Sequence, residues 1–267
     1  MPNQLDDLLR RFSDDALERA FAALHEPRLK ERYQKTMDEV FDAPTLEAVQ
    51  KLVSRGAIES LDYPVKTGKE GNVFHATTRA GGPAAVKIFR VHTSTFRAHL
   101  DYILGDHRFA GVKPTKREIV YAWARKEHRN LGEILAAGVD VPTPLAVERN
   151  VLVMEWIGDA PGTPAPMLKD VALEDPQDAH DRLAHAMERI YKDARLVHGD
   201  FSEYNVLVQA ERLVVMDVGQ AVPRTHPRAL ELLTRDTTNI SRYFRRLGAE
   251  ADAARLLERL QTTEEEE

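Results

Sequence analysis

A chain of 267 residues exceeds the usual size of one compact domain, so two lobes are expected; 43% hydrophobic and 30% charged residues supply a sizeable core. The absence of cysteine excludes disulfides, thiolate catalysis and Cys-ligated zinc. A formal net charge of -6 speaks against a protein that coats DNA or other nucleic acid. No run approaches the ~18 apolar residues of a membrane span, and with acids from Asp6 onward the start does not read as a signal peptide, so a cytoplasmic location is expected.

Leu5, Leu8, Leu9 and Phe12, then Ala16, Leu17, Ala20, Phe21 and Leu24, recur at helical spacing and predict one or two amphipathic helices over 4–25. A helix from Leu46 to Arg55 follows Pro44-Thr45 and stops at Gly56. From Ile58 the period shortens. β-prone runs at Ile58–Leu61, Val73–Thr77 and Ala84–Phe89, separated by KTGKEG and by the turn RAGGP, predict a small antiparallel sheet. A short helix at Phe96–Leu104 and a mobile loop come next, then a long helix over 117–137 with Ile119, Ala122, Trp123, Leu131 and Leu135 in its stripe. VPTP leads to a strand at Val147–Glu155, and the turn-rich run after Asp159 marks a lobe boundary. A helix over 177–195, two short strands within 205–218 and helix from 227 to 261 complete the chain. The expected plan is α+β and two-lobed: a helical extension (1–57), an N-lobe with sheet and long helix (58–154), a hinge and C-lobe (155–261) and an acidic tail (262–267).

Three stretches carry chemistry. In TGKEGNV, Thr67 to Val73, Gly68 and Gly71 permit tight turns that let backbone amides face phosphate oxygens, although no Gly-Lys-Ser/Thr opens a helix as in a Walker loop. Lys87 stands between Val86 and Ile88 on the next strand, where an ammonium needs an anionic partner. It matches the strand lysine that contacts ATP phosphates in protein kinases. The long helix offers Glu118, Glu127 and Glu133, and the mid-helix Glu127 is favoured. In HGDFSEYN, Asp200 and Asn205 are spaced like the base and the metal-binding Asn of a kinase catalytic loop, and Asp217 follows a Val-rich strand. Asn205 and Asp217 are hard oxygen ligands that suit Mg²⁺.

These motifs, with KEHRNL (126–131), GVDVPTP (138–144), MEWIG (154–158) and MDVGQAV (216–222), resemble the RIO family of atypical protein kinases, in particular its type-one branch, over roughly residues 60–240. The resemblance implies a trimmed two-lobed kinase fold, ATP as phosphoryl donor and Mg²⁺ or Mn²⁺. It also implies autophosphorylation on Ser or Thr, ATPase activity and a role in maturing the small ribosomal subunit (pre-40S or 30S) or contacting its rRNA. Carried over, Lys87 and Asp200 are catalytic and Glu127 pairs the lysine. Lys66, Thr67, Gly68, Lys69, Glu70, Gly71, Asn72 and Val73 form the phosphate loop, Met154, Glu155 and Ile157 the adenine hinge, and Asn205 and Asp217 the metal ligands. Lys66 stands where relatives often carry Ser, Gly219 likewise, and Thr115 is a candidate autophosphorylation site.

The 50 residues after Asp217 are too few for an activation segment plus a full peptide-binding platform, and Gly199 replaces the Arg of ordinary kinases. A nucleotide-driven switch or ATPase with limited protein phosphorylation is therefore expected. Two other readings stay open at this level. HGD-x4-N also occurs in aminoglycoside and choline phosphotransferases, and ATP could serve as a clasp in a non-catalytic scaffold. Lys113, Lys116, Arg117, Arg125, Lys126 and Arg129 form a basic run able to contact rRNA.

Overall fold

The computed structural model describes residues 41–68, 71–91, 96–159 and 162–262, with residues 96–99 through their backbone only. The expected helices of 4–25, Lys69, Glu70 and residues 263–267 of the tail lie outside the described residues.

Helix α1, Ala43–Ser54, starts three residues earlier than its apolar period suggests because Asp42 caps it, accepting from Thr45 N at 3.0 Å and Thr45 Oγ1 at 2.6 Å. It ends as expected: Gly56 takes φ +74° just beyond the last turn. Strands β1 (Ser60–Thr67), β2 (Gly71–Thr77) and β3 (Pro83–Phe89) follow. The expected single strand of 147–155 is instead a hairpin, β4 (Pro144–Glu148) and β5 (Val151–Glu155), turning at Arg149 with φ +51°. No glycine announces this turn. Asn150 secures it by donating to Phe89 O and to Thr45 Oγ1, both at 2.9 Å. The sheet is thus five-stranded and antiparallel in the order β1-β2-β3-β5-β4, larger than the three runs implied.

Register divides its faces. Phe74 opposes Val86 and Val86 opposes Val153, and with Ala76, Ile88 and Val151 they pack on Ala48, Val49 and Leu52 of α1. One residue along, Val73 opposes Lys87 and Lys87 opposes Leu152, so the lysine stands on the other face. That face meets helix α2 (Phe96–Leu104) and helix α3 (Lys116–Ala136), the latter capped by Thr115 and closed by Gly138 at φ +73°. In α3 it is Ile134 that is buried, whereas Leu135, expected in the stripe, is exposed.

The core under α3 continues into the C-terminal half. A short hairpin, β6 (Gly158–Asp159) and β7 (Thr163–Pro164), precedes α4 (Pro176–Lys192). Strand β8 (Leu196–Val197) pairs with β11 (Val222–Pro223), and β9 (Val206–Gln209) with β10 (Arg212–Val215). The expected helix of 227–261 is two, α5 (Ala229–Arg246) and α6 (Ala253–Gln261), because Gly248 at φ +91° ends the first and Asp252 caps the second. The result is the kinase-like α+β plan expected.

Truncating Phe74, 1% exposed beneath α1, should leave a cavity. Phe74→Ala is expected to lower unfolding stability by about 3–5 kcal/mol in urea titration, against less than about 0.5 kcal/mol for the exposed Leu135→Ala.

Candidate active site

The loop 198–205 owes its shape to three anchors. Gly199 adopts φ +80°, a conformation open to glycine, with Gln220 O so close that a Cβ would lie 3.1 Å from it. Asp236, buried on α5, accepts from Gly199 N at 2.7 Å and Phe201 N at 2.9 Å. Arg235 donates to Gly199 O. Desolvation pushes the Asp236 pKa up to about 7 despite these donors. The buried His198 is the third anchor. Burial drives its pKa down to about 4, so the ring is neutral. Nδ1 accepts from Asp200 N and Nε2 donates to Met216 O, each at 3.2 Å.

The amide nitrogen of Asn205 donates to Asp200 O at 2.8 Å and Asp200 Oδ2 at 3.0 Å, which turns its oxygen away from both. Met216 N donates to Asn205 O at 2.9 Å, so Met216 ties the loop to its neighbour Asp217. Asp217 sits in the left-handed region at φ +62°, ψ +47°, opening a 3₁₀ turn over Val218–Gln220. A non-glycine residue there is uncommon and aims the carboxylate back toward the sheet. Lys87 Nζ meets it, 2.6 Å from Asp217 Oδ1 and 2.7 Å from Glu127 Oε1. Burial works against the ammonium, but the Asp217 and Glu127 carboxylates outweigh it and hold the lysine pKa above its ordinary value. Lys87, with a smaller contribution from Lys66, holds Asp217 below the usual carboxylate range.

Lys87, Glu127, Asp200, Asn205 and Asp217 are thereby linked in two contact groups joined through Met216. The glycine loop borders them. Gly68 N donates to Gly71 O at 3.0 Å, and a Cβ on Gly71 would stand 2.6 Å from Ile88 O, so only glycine fits there. Lys66 and Thr67 end β1, and Val73 shares the face of Lys87. Asn72 does not: its side chain is buried on the opposite face, its oxygen accepting from Arg90 at 3.3 Å. In the hinge, Met154 pairs with Ala85, Glu155 N donates to Thr143 O, and Ile157 O accepts from Ala165 N. A base edge would have to use the Glu155 carbonyl and the Ile157 N–H. Oxygen donors from one amide and one carboxylate fit a hard divalent cation that takes its remaining ligands from phosphates and water. Among the described residues no three His, Cys, Asp or Glu side chains form a closed metal cage.

Sequence reasoning missed a buried network behind the turn. Lys126, 0% exposed, donates from Nζ to Gly219 O at 2.9 Å and to Ala221 O; Asn130 Nδ2 donates to Val218 O at 2.8 Å and Ala221 O at 3.0 Å. Arg108 bonds Asn130 Oδ1, Asp106 and Glu133. Lys126 therefore leaves the expected basic run. Of the rest, Arg129 pairs with Glu133 and Arg117 with Asp42, while Arg108, Lys113, Arg125 and Arg129 border a cleft of about 600 Å³. A Lys and an Asn four apart inside an apolar helical stripe were the available signal, as was Asp236 between Leu232 and Ile240.

The family model described as RIO domain matches residues 72–256. The chain is 46% identical to the RIO-type serine/threonine-protein kinase Rio1 of Haloferax volcanii, over 86% of this chain and 79% of that protein. It is 37% identical to the serine/threonine-protein kinase RIO1 of Caenorhabditis elegans (86% and 46%) and 34% to rio1 of Schizosaccharomyces pombe (92% and 51%), spanning about half of each. The crystal structure of the Rio2 kinase-ADP/Mg²⁺-phosphoaspartate complex from Chaetomium thermophilum superposes with TM-score 0.64 at 21% identity, over 84% of this chain and 68% of that one.

Burial lowers the Lys126 pKa to about 7 from 10.5, outweighing the nearby Asp106 carboxylate. Above pH 7 the folded chain releases this proton while the unfolded chain still holds it, so Lys126 makes stability rise with pH until the unfolded lysine also titrates. The slope reaches at most about 1.4 kcal/mol per pH unit. Urea titrations at pH 7, 8 and 9 should show this component in wild type and not in Lys126→Met.

Proposed function

We infer, since the chain belongs to the RIO family of serine/threonine-protein kinases, that it transfers the γ-phosphoryl group of ATP, with a divalent cation, to a Ser or Thr hydroxyl, its own included, or to water. The observation that carries this reading is the Lys87 ammonium held between Glu127 and Asp217 at 2.7 and 2.6 Å. A lysine kept protonated at the floor of a glycine-loop sheet is fitted to phosphate oxygens, and Glu127 fixes its direction. Asp200 takes the proton of the attacking hydroxyl; its carboxylate is oriented by the Asn205 amide at 3.0 Å. Asn205 Oδ1 and Asp217 would hold the cation, which when bound neutralises charge on the phosphate oxygens. The ADP and Mg²⁺ of the Rio2 complex support this choice of nucleotide and metal. Glu155 and Ile157 offer the main-chain groups for adenine.

The test is γ-phosphate transfer by the purified chain, with Mg²⁺ present and chelated. Asp200→Asn is expected to slow transfer by about 10²–10⁴-fold while calorimetry still detects ATP uptake. Asp217→Asn is expected to abolish the gain from Mg²⁺. Full rates in Asp200→Asn, or no ATP uptake by wild type, would overturn the reading.

For a partner, we take the small ribosomal subunit or its rRNA. The exposed Lys113, Lys116 and Arg125 support that choice within an otherwise acidic chain. If three phosphates are neutralised on a single-stranded segment, the logarithm of affinity should fall with log salt at a slope near about -2. A salt-independent affinity would exclude these contacts.

A further inference from the structure

The catalytic loop lies along α5. From one end to the other, Asp236 holds Gly199 N and Phe201 N, Tyr243 OH donates to Leu168 O at 3.0 Å, and Arg246 reaches Glu203 Oε1 at 3.3 Å. Beside these contacts runs a row of outward residues spaced four, three and four apart: Arg235, Asn239, Arg242 and Arg246. That spacing keeps them on one helix face. All three arginines are exposed. Their charges are unequally spent. Arg235 bonds a carbonyl oxygen and Arg242 bonds the Asn239 amide oxygen at 3.0 Å, so both keep a full positive charge, whereas Arg246 shares Glu203. At the same edge Tyr204 is 57% exposed and Lys169 lies 5.7 Å over its ring.

We propose that this arginine face of α5 is the docking surface for the phosphoacceptor, and that it selects segments in which a Ser or Thr is flanked by acidic side chains. The inference rests on the phosphotransferase reading above and names the substrate class of that site. Arg235 to Arg246 spans about 16 Å of helix at 1.5 Å per residue. An extended peptide covers that distance in about five residues, so a hydroxyl near Asp200 would place the next four or five side chains against the arginines. The chain itself contains such a segment, Thr262-Thr263 followed by Glu264 to Glu267. A nucleic-acid strand fits less well. The strip is three arginines along one helix face, one of them already shared with Glu203, whereas single-stranded nucleic acid favours a continuous positive groove. In the step itself the acceptor Oγ forms a bond to Pγ and the bond from Pγ to the β,γ-bridging oxygen breaks. ADP leaves with that electron pair, and the hydroxyl proton passes to Asp200.

The probe is a labelled peptide of residues 260–267, LQTTEEEE, compared with LQTTQQQQ and an eight-nucleotide oligouridine. Binding to the full chain is read by fluorescence anisotropy, and transfer by peptide phosphorylation with MgATP. The acidic peptide should bind about tenfold more tightly than its Gln counterpart, a few exposed charge pairs each giving up to ~1 kcal/mol. Arg242→Glu should lose that advantage by raising KM with kcat and ATP affinity unchanged, and Arg242→Lys should restore most of it. Equal binding of both peptides, indifference to Arg242→Glu, or oligouridine binding more tightly and being lost in Arg242→Glu would each overturn the docking surface. Transfer to the Gln peptide at the acidic peptide's kcat/KM would overturn it too, while sparing the phosphotransferase reading. Selective binding of LQTTEEEE with no transfer to any peptide would support the surface and count against that reading instead.

Discussion

Everything at the candidate site hangs on one half-buried ammonium. Lys87 has carboxylates on two sides, Glu127 from α3 and Asp217 from the turn after β10, with the Phe89 ring 5.0 Å away. Removing a lysine from water costs several kcal/mol, and a single carboxylate offsets this only with good geometry. Two carboxylates from separate elements make the cation the point at which the sheet, the long helix and the C-terminal half are brought into register. Glu127 is buried whereas the Asp217 side is open to water, so losing the lysine would strand a buried carboxylate on α3, and the three elements hold their relative positions together.

Around that cation the working groups sit on loops, and the rigidity comes from two helices. Helix α3 grips the sheet lysine through Glu127 and the turn of Asp217 through Lys126 and Asn130, adjacent positions on one surface of the helix. Helix α5 grips the other loop through Asp236, which accepts from the N–H groups of Gly199 and Phe201 on either side of Asp200. Asp217 lies in the left-handed region, which is uncommon for a residue other than glycine and which Asp enters more readily than most. The hydrogen bonds from α3 to Val218, Gly219 and Ala221 over-determine the turn and thereby maintain it.

The sequence was most legible where a period or a motif spans few residues. The strands carrying Phe74, Val86 and Lys87, the helix stop at Gly56, and Glu127 as the lysine's partner all followed from local spacing and from what a cation among apolar neighbours requires. The β4–β5 hairpin was illegible because its turn, Arg149-Asn150, has neither Gly nor Pro. Its stability comes from Asn150 bonding residues 61 and 105 positions away. Lys126 misled for a related reason: a charged residue amid Lys and Arg reads as surface, and only the turn carbonyls from residues 93 and 95 positions away make its burial tolerable. The direction of the Asn72 side chain was illegible because register sets it. Membership in a glycine loop says nothing of the face its side chain takes, and the strand alternation sent it away from Lys87.

The two helical anchors also set how the site responds to protons, and they do so in opposite directions. Desolvation raises Asp236 to about 7 and lowers Lys126 to about 7. An Asp that is neutral when folded below pH 7 but charged when unfolded makes stability fall from about pH 4 to 7. A Lys that is neutral when folded above pH 7 but charged when unfolded makes it rise from there toward pH 10. Together they place the greatest cost of buried charge near neutrality, where both groups are part ionised. That cost is borne by the helix contacts behind the two loops and not by Lys87, whose charge is compensated throughout this range. The contacts account for both charged residues: Lys126 holds two main-chain carbonyls, and Asp236 two main-chain N–H groups, that no apolar residue could satisfy.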